Sequence, residues 1–276
     1  MAVMISGRAT ERAYAELQQA YDFYNQRLFG GQLPDCLITF QRGKNTMGYF
    51  SRNRFVSPAD GTQIDEIALN PEYFPVYPLI EVMQTLVHEQ CHMWQFHYGK
   101  PSRKGYHNAE WAAKMEAVGL MPSSTGRPGG DKLGQSINDY PIPGGRFQKE
   151  TLELFRTGFA LSWFDRFPVK VEQPKDLTPI IEQWRETLAQ ALQANPAGVI
   201  QQDAAEVERL LTLALVPSVQ VTDDGDDSEV TGIVLQPKPK TRHKHVCPEC
   251  GAAAWGKPGL NILCGECNVA FIDIDN

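Results

Sequence analysis

The sequence contains no apolar run approaching the roughly 20 residues that a membrane helix needs, so no membrane partner is expected. Its first residues, MAVMISGRATERAY, lack the apolar core of a secretory leader. Cysteine is too scarce for a disulfide framework: four of the six form two tight pairs near the C-terminus, and Cys36 and Cys91 stand alone. In a reducing compartment such pairs bind metal rather than oxidise. A cytoplasmic protein is therefore the expectation, with nucleoid association left open. Positive charge is also short: 26 Lys and Arg against 33 Asp and Glu leave a net charge of −7, which excludes a surface that holds nucleic acid everywhere but allows one local basic patch. No internal repeat is evident.

Periodicity supplies the elements. Residues 8–29 place Ala13, Leu17, Ala20, Tyr21, Tyr24 and Leu28 near helical spacing, and Gly30-Gly31 ends the run. Leu37–Gln41, Met47–Val56 and Ile64–Leu69 read as short strands between turn residues. A long helix from about Pro78 to His97 follows, and a shorter one from about Asn108 to Val118, closed by Gly119. The stretch STGRPGGDKLGQ reads as an exposed loop. Residues 148–166 and 176–215 carry helix-like patterns, including Ile180, Trp184 and Leu188, that fit either packing on the core or a separate helical extension. DDGDDSE and then PKPKTRHKH are runs of opposite charge, expected to be a flexible linker.

The long helix carries His88-Glu89-Gln90-Cys91-His92, an H-E-x-x-H motif. Residues four apart differ by roughly 40° around a helix axis, so both imidazoles share one face and can reach one Zn²⁺. Glu89 is aimed too poorly to be a primary ligand and suits a general base acting on the metal's water. Val82, Met83, Leu86, Val87, Cys91 and Trp94 make the surroundings apolar, and burying this polar cluster without a metal or partners would be costly. A catalytic zinc usually has three protein ligands. His97 falls about half a turn away from His88, and Gln95 stands where the metzincin pattern needs glycine. His107 and Glu110, both in GYHNAEW, remain, and ligand chemistry alone does not separate them.

YNQRLFGGQLP, an Asn-Pro closing a strand, HEQCHMWQ and GYHNAEWAAKMEAVGLMPS, in that order, resemble the SprT-like (Spartan-type) metallopeptidases over about residues 10 to 145. The resemblance implies a zincin-like fold, peptide-bond hydrolysis in an open cleft, Glu89 as the base and His107 as third ligand. Glu110 then becomes a supporting or helix-N-terminal acid. Ile64–Leu69 is the candidate edge strand for pairing with a substrate backbone. Arg103 and Tyr106 are near the motif in sequence, without a nameable oxyanion role. Relatives of this type cleave proteins bound or crosslinked to DNA, which makes such proteins a candidate substrate.

Cys247-Pro-Glu-Cys250 and Cys264-Gly-Glu-Cys267 form two knuckles that can close a tetrahedral structural zinc site, a zinc ribbon. Gly251 and Gly265 sit where knuckle turns favour a residue without Cβ. Lys238, Lys240, Arg242 and Lys244 precede the ribbon, and Trp255 and Lys257 lie within it; together they are the candidate DNA contacts.

The expected architecture is thus α+β: a zincin-like metallopeptidase core over 8–145, a helical extension over 146–216, a charged linker over 217–245 and a C-terminal β zinc ribbon over 246–274. Two Zn²⁺ ions are expected, one catalytic and one structural, with a protein or peptide as substrate. The alternative is a non-enzymatic, nucleic-acid-associated regulator that uses the zincin core as scaffold.

Overall fold

A computed structural model describes residues 7–43, 45–103, 105–169, 182, 212 and 242–274. The chain divides into two units, 1–236 and 237–276. In the first unit, helix α1 (Ala9–Phe29) starts where Glu11 reaches back to the Arg8 amide at 3.0 Å, and stops at Gly30, whose φ of 69° suits glycine. Its buried stripe is the one the spacing predicts, with Leu17, Tyr21, Tyr24 and Leu28 inward.

Strands β1 (Cys36–Phe40), β2 (Gly48–Val56) and β3 (Gln63–Leu69) form a sheet of order β1-β3-β2. β1 runs parallel to β3 and β2 antiparallel to it. The expectation that Ile64–Leu69 is an edge strand is therefore corrected: β3 is central, both its edges are paired, and Asp65 to Leu69 are buried. The edges belong to β1 and β2. β2 changes register between Ser51 and Phe55, where Asn53 adopts a φ of 47°. Asp65 secures that irregularity, accepting the Asn53 amide at 2.7 Å and meeting His97 Nε2 at 2.6 Å. His97 is thus turned to the sheet, away from the other histidines of its helix.

Helix α2 (Leu79–Tyr98) begins after Pro78 and buries Leu79, Val82, Met83, Leu86, Val87 and Met93 in the core. Helix α3 (Ala109–Val118) is capped by Asn108, whose side chain accepts the Trp111 amide at 3.0 Å. It ends at Gly119, where a Cβ would come within 2.5 Å of the Phe147 nitrogen. β4 (Leu120–Ser123) and β5 (Asn138–Pro141) then pair antiparallel, so the glycine-rich loop between them is the turn of a hairpin.

Helix α4 (Arg146–Arg156) buries Phe147, Leu152, Leu154 and Phe155 in the same core, and Thr151 Oγ1 meets the Tyr24 hydroxyl at 2.8 Å. Of the two placements open for this segment, packing on the core is the observed one. The helix stops well short of residue 166, because the chain turns through Gly158 at a φ of 83°. The helix-like pattern at 176–215 and the charged stretch from 217 to 241 lie outside the described residues, apart from residues 182 and 212.

In the second unit β6 (His243–Val246), β7 (Ala253–Gly256) and β8 (Ile272–Asp273) form an antiparallel sheet of order β7-β6-β8. The last residues of the stretch read as linker, His243 to His245, are thus a strand of the ribbon. No helix among the described residues is long and apolar enough to cross a membrane.

Candidate metal centres and catalytic cleft

His88 and His92 lie one turn apart on α2, and His107 arrives from the loop before α3. Their Nε2 atoms converge: His92 Nε2 is 3.2 Å from that of His88 and 3.1 Å from that of His107. Gln95 Nε2 donates to Asn108 Oδ1 at 2.7 Å and to Glu110 Oε2 at 2.9 Å, which fixes the start of α3 against α2. Glu110 also accepts the Lys100 amide and lies outside the group of candidate ligands, which is His88, His92 and His107.

The outer nitrogens explain what the inner ones need. His88 Nδ1 is 2.8 Å from Asp139 Oδ2, and His107 Nδ1 is 3.2 Å from the Gly134 carbonyl oxygen. Both oxygens accept, so both Nδ1 atoms carry the proton, and two unprotonated Nε2 lone pairs face His92 Nε2. A single imidazole proton can satisfy only one of these contacts. The remaining pair is lone pair against lone pair in a buried site, which calls for a cation. Tetrahedral zinc with Zn–N distances near 2.05 Å gives N···N edges of about 3.3 Å, close to those observed.

Charge behaviour agrees. Burial, followed by the charge of His88, drives His92 well below the ordinary histidine range and His107 down to about 4. For His88 burial acts in the same direction, but the hydrogen bond to Asp139 and the charges of Glu89 and Asp139 outweigh it and raise its pKa. Trp111, fully buried, backs all three rings, with centroid distances of 4.9, 5.1 and 4.3 Å to His88, His92 and His107. Truncating such a side chain to alanine costs about 3–5 kcal/mol.

Glu89 is buried on the floor of a cleft of about 1080 Å³, beside His88. Burial raises its carboxyl pKa, while the charge of His88 and a hydrogen bond from the Phe50 amide of β2 pull it back down. Glu81, Gln84 and Thr85 of α2, Tyr73 and Tyr77, and residues 125–128 also line it. Arg103 and Tyr106 are not in it: the Arg103 guanidinium lies over the Tyr106 ring at 5.3 Å. Asp139 and Gly134 escaped the sequence reading. No motif marks them, and each contacts its histidine across a long stretch of chain.

In the ribbon, the sulfurs of Cys247, Cys250, Cys264 and Cys267 all lie within 4.8 Å of one another. Cys250 Sγ and Cys264 Sγ are 3.7 Å apart, far beyond a disulfide bond and close to the roughly 3.8 Å edge of a Zn–S tetrahedron. Each knuckle repeats the same turn, with Gly251 N bonded to Cys247 O at 3.0 Å and Asn268 N to Cys264 O at 2.9 Å. The left-handed residues are Gly251 (φ 73°) and Asn268 (φ 54°), so Gly265 does not have the role expected of it; Asn, which tolerates that region, takes it instead. The Cys250 amide, aided by that of Glu249, lowers the Cys247 thiol to about 7, whereas hydrogen bonding to Cys250 and burial push Cys267 up to about 12. Four thiols this close cannot all ionise without a cation. Both clusters could hold metal ions.

Of the candidate nucleic-acid contacts, Lys238 and Lys240 lie outside the described residues. Lys244 pairs with Trp255 across β6 and β7, its Nζ 5.8 Å over the ring, and Trp255 is 63% exposed. Arg242 and Lys257 are exposed.

The SprT-like family matches residues 17–128, a span that holds Glu89 and all three histidines. A Salmonella typhimurium protein described as an "Uncharacterized protein in mucB 3'region" is 55% identical over 58 residues, which are 21% of this chain and 78% of that protein. No solved structure matches.

Proposed function

This chain belongs to the SprT-like family, and from that premise we propose that it is a zinc-dependent, zincin-type metallopeptidase. The observation that carries the reading is the convergence of three Nε2 atoms beside a buried carboxylate on the floor of an open cleft. His88, His92 and His107 would hold the catalytic zinc, and the four cysteines a structural one. A zinc ion bound by three imidazoles supplies Lewis acidity, lowering the pKa of a coordinated water to about 7.

Glu89 takes the proton of the attacking water and delivers it to the departing amine. Its raised pKa suits both halves of that exchange. Among the described residues β2 is an edge of its sheet, and its first residue, Gly48, lines the cleft, so an extended peptide can add along that edge. Asp139 and Gly134 hold His88 and His107 in one tautomer.

The test is hydrolysis of an unstructured peptide by the full chain. Chelation is expected to abolish it and added Zn²⁺ to restore it. His107→Ala is expected to lose both metal and activity, and Glu110→Ala to keep the metal. A zinc-saturated chain without hydrolysis would favour the non-enzymatic regulator instead.

For substrate, the reading extends to proteins bound to DNA. Its support is local: on the ribbon the half-buried Lys244 lies against the ring of the exposed Trp255, a surface on which a base can stack beside phosphate. Removing residues 237–276 is expected to leave cleavage of a free peptide within about twofold, and to lower cleavage of a DNA-bound protein by tenfold or more, through lost effective concentration. The lost affinity is expected to be salt-dependent. Equal DNA binding by the truncated chain would refute this extension.

A further inference from the structure

The later part of the β4–β5 hairpin, beyond the family-matched residues 17–128, supplies the outer partners of two of the three imidazoles. Gly134 bridges His107 twice through the backbone, at 2.7 and 3.2 Å, and its carbonyl also accepts the His107 ring proton. A little further on, β5 carries Asp139 to His88. That strand is held in place without help from the Asp139 side chain: Asp139 pairs with Pro122 of β4, and its own carbonyl accepts Gln84 Nε2 of α2 at 2.9 Å.

We propose that Asp139 is a positioning residue of the three-histidine centre, its carboxylate fixing the orientation, tautomer and donor strength of His88; this rests on the metal reading above. Three observations carry it. The contact is short, 2.8 Å, and both side chains are largely shielded, at 14% and 6% exposed. His88 is the ligand that lines the cleft, so among the three it most needs an anchor against rotation. Asp139 Oδ1 is buried and has no partner among the described residues. A carboxylate retained only to brace the hairpin would have both oxygens bonded; here one is left bare and the other is spent on the imidazole. Charge is what distinguishes it from the carbonyl that serves His107: an anion behind His88 offsets part of the positive charge of a dication in front of it.

The experiment measures Zn²⁺ affinity of the full chain by chelator competition, at the site that His88→Ala and His92→Ala abolish. The Co²⁺ absorption spectrum of that site and the melting temperature of the metal-depleted chain are recorded alongside. Asp139→Ala is expected to weaken the site by about 10- to 100-fold and to change the Co²⁺ spectrum, with the ribbon's metal and the melting temperature unchanged. Asp139→Asn, which can still accept the ring proton but lacks the charge, is expected to retain the parent's spectrum and to show a smaller loss of affinity. Unchanged affinity in Asp139→Ala, or a loss that tracks a lowered melting temperature in both variants, would overturn the proposal. A parent chain with no histidine-dependent metal would instead overturn the metal reading itself.

Discussion

Glu89→Gln is expected to lower peptide hydrolysis by about 10²- to 10⁴-fold, the range supplied by a positioned general base, while zinc stays bound. The amide has the carboxylate's shape but cannot take a proton from water. Metal retention follows from the donor set, because the converging atoms belong to His88, His92 and His107 and Glu89 is not among them. The fold should also hold. Burial already works against charge on Glu89, so a neutral isostere relieves a strain and leaves the melting temperature equal to or above the parent's. An active-site charge kept at some cost in stability is a common arrangement in enzymes. Hydrolysis, zinc content and melting temperature measured on one preparation decide the matter. A variant that keeps a tenth or more of the parent activity would show that Glu89 is not the base.

How much of this was readable beforehand depends on the range of the interaction. The H-E-x-x-H pair and the two cysteine knuckles are local: helix geometry or a tight turn fixes the ligand spacing, so a few adjacent letters suffice. The helices were legible for the same reason, through the period of their buried faces. Strand order is not local. Ile64–Leu69 has the composition of any half-buried strand, and only the pairing of β1 and β2 on its two sides makes it central. His107 was separable from Glu110 only through the family resemblance; the structure adds the reason, since Gln95 and the Lys100 amide occupy Glu110. Asp139 had no signal at all. It lies in an ordinary NDYP stretch, and its importance comes from a hairpin that carries it to a histidine 51 residues away. Asn268 carries a weaker signal than glycine, because asparagine tolerates the left-handed region without being specific for it.

The ribbon offers the other large effect: Cys247→Ser is expected to unfold residues 242–274 as a unit and to leave the first unit folded. The reason is the near absence of an apolar interior. Its buried residues are Cys247, Cys264 and His245, while Trp255, Leu260, Leu263, Ile272 and Ile274 are all at least 44% exposed. With so little burial, ordering these strands falls to the metal, whose binding in comparable small modules contributes about 10–16 kcal/mol. Removing one thiolate leaves three, no longer a closed tetrahedron, and removes a sulfur whose pKa the Cys250 and Glu249 amides lower to about 7. The variant should contain one zinc where the parent contains two, be cut by added protease in its C-terminal part alone, and show Trp255 emission insensitive to chelator. The first unit has its own core of α1, α2, α3, α4 and the β1-β3-β2 sheet, so hydrolysis of a free peptide should persist. In the parent, chelator should empty the open three-histidine site before the closed four-thiolate one. A Cys247→Ser chain whose C-terminal part resists protease as well as the parent's would show that the ribbon folds without its metal.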